Sequence, residues 1–171
     1  MEMYMKAIHI TLPDFDGKNP LRNNLLTFDE IMIINAIAIL HAKADDIMTA
    51  VQLGMWLKKY MEEKIVDGTM KIAKYPMILY NLSNWLGREN CHKEALKMAD
   101  LGIRFCIRYG NLAFFPILVF NKGGALAELG KIDQAKKYLH QSVTIFEAMD
   151  RPDLIQVATD WCKLHYRIDI Q

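Results

Sequence analysis

Residues 76–109 read PMILYNLSNWLGRENCHKEALKMADLGIRFCIRY, and the chain nearly repeats this stretch farther on. Pro76 returns as Pro116, Tyr80 and Asn81 as Phe120 and Asn121, Leu86 as Leu126, Ala95 as Ala135 and Lys97 as Lys137. Leu79 and Ile103 return as Val119 and Val143, and the offset is 40 in every pair. A fixed offset shared by a proline, an asparagine and a small residue is the mark of stacked structural units. Apolar residues recur at helical rather than alternating spacing, so each unit reads as a pair of helices and the fold as all-α.

The rest of the chain is placed relative to this unit. Thr27-Phe28-Asp29-Glu30 is a capping box that opens a helix through about His41. Asp45 and Asp46 interrupt it, and a second helix is expected to about Val66, ending at Asp67–Gly68. Asn35 stands there where Asn81 and Asn121 stand later. Asn35 to Ala50 spans 15 residues against 14 in the other two units, which predicts an extra residue in the turn. The second unit has one helix from about Thr69 or Met70 to Gly87 and another to Tyr109. Gly110 suits a left-handed helix end and Asn111 the cap of the next helix. Pro76 and Pro116 are both expected inside helices, bending them. Met1–Leu12 reads as a helix, and the breaker Pro13–Pro20 ends it. It is either a lid over the first unit or the end of an earlier unit. A helix starting at Asp150-Arg151-Pro152, with Leu154, Ala158, Trp161 and Ile168 on one side, caps the stack. The expected division is 1–26 for the N-terminal helix and linker, repeats at 27–68, 69–110 and 111–150, and the cap at 151–171.

Composition narrows the function. The chain has 171 residues, 52% of them hydrophobic, enough for a substantial core. A net charge of +1 gives no electrostatic footprint for nucleic acid. Cys91, Cys106 and Cys162 are odd in number and widely spaced, which fits a reducing cytoplasm and neither zinc nor a disulfide framework. The apolar runs Ile31–Leu40 and Leu112–Phe120 are about half a membrane span, and Glu2 stands where a signal peptide would be basic. The five histidines share no ligand spacing, and Asp45–Asp46 is most simply a helix boundary. With no catalytic constellation or phosphate-binding glycine loop, the expectation is a non-enzymatic protein without cofactor or metal.

Leu82, Ser83, Leu86, Ala95, Ala99 and Gly102, followed by Gly123, Leu126, Ala135 and Ser142, resemble the large–small–large–small pattern of tetratricopeptide repeats. That resemblance implies a right-handed α-solenoid of helix pairs with a C-terminal capping helix. Lys122 and Leu139 depart from the pattern, and a period of 40 implies helices longer than the usual repeat of about 34. With Ile10–Asp16, Tyr75–Gly87 and Tyr109–Gly130, the chain is similar to the C-terminal regulatory half of bacterial Xre-type (Rgg/PlcR-like) transcriptional regulators. The resemblance implies a domain that dimerises and binds a short signal peptide, with DNA contacted only through a helix-turn-helix domain that these residues do not contain.

In each unit the first helix has one face for its neighbours and another for a groove. Met77, Asn81, Asn84 and Arg88 share a side, as do Ile117, Asn121, Gly124 and Glu128, and Ile31, Asn35 and Ala38. The resemblance puts this side on the concave face. The candidate peptide-binding residues are Asn35, Asn81, Asn84, Arg88 and Asn121, with Tyr80 and Phe120 as apolar pockets. An amide side chain both donates and accepts, so it matches a peptide backbone without reading side chains. The alternative is a structural ladder in which each Asn bonds a neighbouring helix. A plain protein–protein scaffold is the competing function, and the C-terminal helix with Trp161 and Tyr166 is the candidate dimer surface.

Overall fold

The computed structural model describes residues 1–17, 25–63, 68–168 and 170. Regular structure among them is helical throughout: α1 (Glu2–His9), α2 (Phe28–Lys43), α3 (Ile47–Glu63), α4 (Gly68–Arg88), α5 (His92–Tyr109), α6 (Phe115–Glu128), α7 (Ile132–Ala148) and α8 (Pro152–Trp161). One π turn, Cys162–Tyr166, follows α8. Lys18–Pro20 of the expected breaker, and the expected helix end at Val66 and Asp67, lie outside the described residues.

The helices start and stop for local reasons. At α2 the Thr27 hydroxyl accepts from the Glu30 amide at 3.3 Å, while the Glu30 carboxylate accepts from the Thr27 amide at 2.6 Å. The turns after α2, α4, α6 and α7 are three residues long, with Asp45, Asn90, Gly130 and Asp150 left-handed in the middle. In each, the third residue donates back across six residues: Asp46 to His41, Cys91 to Leu86, Lys131 to Leu126 and Arg151 to Phe146. This is the bond of the Schellman ending, and it satisfies carbonyls that the helix leaves free. The turns are therefore alike, and the extra residue of the first unit is not in its turn. Eight residues separate Asn35 from the end of α2, against seven in α4 and α6, so the insertion lengthens the helix.

Two further expectations change. Pro116 occupies the first turn of α6 rather than its interior, where its missing N–H costs nothing. Asn111 does not cap α6, whose N-cap is Phe114. Its amide instead donates to the Ile72 carbonyl at 2.8 Å. Ile72 lies four residues before Pro76, which does sit inside α4, so this is the carbonyl that the proline leaves without a helical donor.

The pairs α2–α3, α4–α5 and α6–α7 stack side by side, each packing on the next. Among the described residues, neighbouring first helices also touch, α2 with α4 and α4 with α6, whereas α3, α5 and α7 lack comparable mutual contact. A row that closes along its first helices and splays along its second ones is concave on the first-helix side. Small residues set the spacing. A Cβ on Gly102 would come within 2.8 Å of Leu118, and one on Gly123 within 2.7 Å of Leu139. Two clusters form the core. One holds Ile8, Leu12 and Phe15 of the N-terminal segment with α2, α3 and α4; the other joins α6, α7 and the C-terminal segment. Leu86, Ala95 and Ala125 form a small cluster between them. Of the residues grouped on one side of the last helix, Ala158 and Ile168 are buried, whereas Trp161 is exposed and stacked on His165.

Candidate functional site

The concave row is built from α2, α4 and α6, and helical geometry fixes which side chains it offers. On α4, Leu79, Leu82 and Leu86 are buried, Leu82 against Gly54 of α3 and Leu86 in a cluster with Ala95 of α5 and Ala125 of α6. Asn81 turns toward α2 and donates to Asn35 Oδ1 at 3.0 Å. Ser83, on the other flank, accepts from Asn121 of α6 at 2.7 Å, and the same Asn121 amide lies 3.4 Å from the Tyr80 carbonyl. Between these two seams lie Ala73, Met77, Tyr80 and Asn84. The first three are half-buried and Asn84 is exposed, so this strip is the open floor of α4.

The asparagine ladder thus forms inter-helix bonds. Asn35 is 2% exposed and Asn81 8%, and at that burial an unpaired amide would cost about 1–3 kcal/mol. Each seam is stitched across adjacent units, which fixes how closely first helices approach and so the curvature of the row.

Arg88 acts at the end of the first seam. Its guanidinium donates to the Ala42 carbonyl at 3.0 Å and to Asp45 at 2.9 Å, clamping α4 onto the C-terminal end of α2. A cation there also complements the partial negative charge of the helix end. Asp46 caps α3 by accepting from the Thr49 amide at 3.2 Å. Those hydrogen bonds to Thr49, followed by its contact with His41, hold its carboxyl below the usual range.

The aromatic candidates differ. Tyr80 stacks on Phe114 at 5.9 Å across the α4–α6 seam, and burial raises its pKa. Phe120 packs against the C-terminal core cluster together with Ile117 and Tyr166. Lys122, one residue beyond Asn121, bridges Asp100 at 2.7 Å and lies 4.0 Å from the Tyr138 ring centre. Burial opposes its charge, but the hydrogen bonds to Asp100 and Tyr138 outweigh it and its pKa is raised.

Sequence reasoning missed one apolar recess. It lies on the opposite side of α6 from Asn121, where two cavities of ≈ 460 and ≈ 530 Å³ meet at Phe115 and Ile145, with Val119, Thr144, Leu112 and Met149 on their walls. No group of three or more His, Cys, Asp or Glu residues among those described is placed to hold a metal. Burial pushes the Cys106 and Cys162 thiols up to about 11, which leaves them poor nucleophiles. None of the described helices is long and apolar enough to cross a membrane.

These features define a tetratricopeptide-like solenoid with a partly open inner face. In solved structures the same arrangement occurs in PlcR of Bacillus thuringiensis. Its crystal structure in complex with the peptide PapR7 and DNA matches with a TM-score of 0.70 and 17% identity, over 92% of this chain and 53% of PlcR. Its apo form matches with a TM-score of 0.68 and 16% identity, over 92% of this chain and 63% of that one. At such identity the likeness is one of fold, and the chain spans only part of the PlcR length. No protein-family profile matches the sequence, and no curated protein matches it either.

Proposed function

We propose that this chain is the regulatory part of a transcriptional regulator and binds a short peptide on its concave face, without catalysis. The repeats at 27–68, 69–110 and 111–150 are the units of that groove. The observation that carries the reading is the strip Met77, Tyr80 and Asn84. It is an accessible mix of apolar side chains and one amide, bounded by two seams whose own polar groups are already bonded. The fold likeness to a protein crystallised with a peptide and DNA supports it. Asn84 offers a donor and an acceptor to a peptide backbone, Met77 adapts to apolar side chains, and Tyr80 flanks them. Asn35, Asn81, Asn121 and Arg88 frame the groove, and Phe120 continues the floor into the third unit. DNA contact belongs to a helix-turn-helix domain outside these residues.

A peptide gripping two units at once favours one curvature of the row, because the seams link curvature to unit spacing. A tenfold change in state ratio needs only about 1.4 kcal/mol of differential binding. The output surface we assign to α8 and the turn after it, where Val157, Trp161 and Leu164 are exposed at helical spacing. Asp153 and Asp160 precede Lys163 and Arg167 along the chain, so two antiparallel copies would oppose unlike charges. A homodimer through this face is the proposed assembly.

The test is a thermal-shift screen of short peptides against the full chain, followed by titration of the hits. A true ligand at about 100 times its Kd raises stability by about 2.7 kcal/mol. Met77→Lys and Asn84→Lys should weaken hits roughly tenfold or more while leaving the melting temperature of the free protein nearly unchanged. Hits that ignore both substitutions, or the absence of any hit, would sink the groove reading.

A further inference from the structure

The inner face is not equally open along the row. At the offset of 40, the α6 counterparts of Met77, Tyr80 and Asn84 are Ile117, Phe120 and Gly124. Met77, Tyr80, Ile117 and Phe120 are all half-buried, but Asn84 is exposed whereas Gly124 is buried beneath the chain's own C-terminal segment. Tyr166 reaches Gly124 so closely that a Cβ there would stand 2.8 Å from its hydroxyl. Ile117 and Phe120 pack in one cluster with Tyr166, Ile168 and Ile170, and each of these isoleucines is only 2% exposed.

The segment reaches this floor through a compact turn that follows α8 directly. The chain leaves the π turn through Arg167 at φ 52, a left-handed conformation that a residue with a side chain adopts only when its surroundings hold it there. The Ile168 amide returns to the Cys162 carbonyl at 3.2 Å. Through this tight turn Tyr166, Ile168 and Ile170, alternate in sequence, bring an aromatic and two aliphatic side chains to one cluster. The floor is adapted to this occupant, with glycine under the tyrosine ring where α4 carries the exposed Asn84.

We propose that Tyr166, Ile168 and Ile170 are a built-in occupant of the third unit's groove, and that the incoming ligand is a short peptide with the same side-chain chemistry. That ligand carries one aromatic and two aliphatic residues at alternate positions and displaces the segment from Ile117, Phe120 and Gly124. The inference rests on the peptide-binding reading and adds to it a ligand class and a competitor in the same chain. Because the segment follows α8 directly, its displacement also releases the turn beside Trp161, which links groove occupancy to the exposed α8 face.

The probe is a fluorescein-labelled synthetic peptide of residues 163–171, followed by anisotropy against two full-length proteins. One is the wild type; the other carries Tyr166→Ala, Ile168→Ser and Ile170→Ser, which empties the floor without shortening the chain. The peptide should bind the triple variant saturably and the wild type roughly tenfold more weakly or worse, and Gly124→Leu added to the triple variant should abolish binding. If the triple variant loses its helical circular dichroism, Ile170→Ser alone is compared with the wild type in the same way. A folded variant that refuses the peptide, or a wild type that binds it as tightly, overturns the inference. If the emptied floor refuses the peptide while other peptides bind through Met77 and Asn84, the inference falls and the groove reading stands. If it accepts the peptide while no foreign peptide binds the wild type, the incoming ligand is overturned together with the sensing role, and the segment is a permanent cap.

Discussion

At the scale of single residues, polar groups in this molecule are placed to satisfy defects that the backbone creates. Pro76 withholds the amide that Ile72 would accept from, and Asn111, from the turn before α6, supplies the missing donor at 2.8 Å. The half-buried carbonyl would otherwise go unbonded, so Asn111→Ala should cost about 1–2 kcal/mol in urea unfolding. With Pro76→Ala already present the helix regains its own donor, and the same Asn111 substitution should then cost less than about 0.5 kcal/mol. Equal costs in the two backgrounds would show that Asn111 matters for another reason. A second contrast separates seam from groove. Asn81→Ala strands the Asn35 oxygen in a buried seam and should cost about 1–3 kcal/mol, whereas Asn84→Ala, on the exposed strip, should leave stability nearly unchanged. The sequence showed three asparagines in register but not where they point. A side chain at i+4 or i+7 shares a helix face with its neighbours, yet the difference between a seam and an open floor is a rotation of less than one residue's turn. Only the neighbouring helix decides it.

At the scale of elements, the helix pairs were legible because each carries its own punctuation. The capping box at Thr27, the left-handed Gly110 and Gly130, and the small residues Ala95 and Ala135 act within a few positions of themselves. Features set by distant packing were not legible. Pro116 looked equivalent to Pro76, but α6 begins only at Phe115, so two prolines at equal repeat positions occupy different helical positions. The π turn after α8 and the return of Ile168 and Ile170 onto α6 follow from a cluster that the segment finds far away in sequence. The paired glycines at 123 and 124 give a test of how elements touch. A Cβ at position 123 would meet the Leu139 side chain at 2.7 Å and its backbone nitrogen at 3.1 Å, so α6 and α7 must move apart. At position 124 it would meet only the far end of the Tyr166 side chain. Thermal unfolding should therefore show Gly123→Ala destabilising by about 1–3 kcal/mol through overpacking. Gly124→Ala should stay within about 0.5 kcal/mol, with helix propensity offsetting the displaced hydroxyl. Equal losses at the two positions would mean that helix spacing is not what Gly123 protects.

At the scale of the whole molecule, the core is divided along the stack. Among the described residues, the N-terminal cluster runs from Ile8 to Trp85, the C-terminal one from Leu126 to Ile170, and Leu86, Ala95 and Ala125 form a small cluster of their own between them. In a stack whose units touch only their neighbours, stability is roughly a sum of unit and interface terms, so a weakened end can unfold while the rest persists. The tryptophans report the two halves separately, since Trp56 and Trp85 belong to the N-terminal cluster and Trp161 lies beside the C-terminal one. Leu139 is fully buried where α7 meets Gly123, and Leu139→Ala should remove about 2–5 kcal/mol from the C-terminal half. In single-tryptophan versions of this variant, emission from Trp161 should change at a lower urea concentration than emission from Trp56. The mirror substitution, Leu53→Ala in the N-terminal cluster, should reverse that order. If the two tryptophans report one coincident transition in both variants, the small central cluster couples the halves more strongly than their separation suggests. A peptide bound at one end would then be felt at the other through cooperative folding, without any change of curvature along the row.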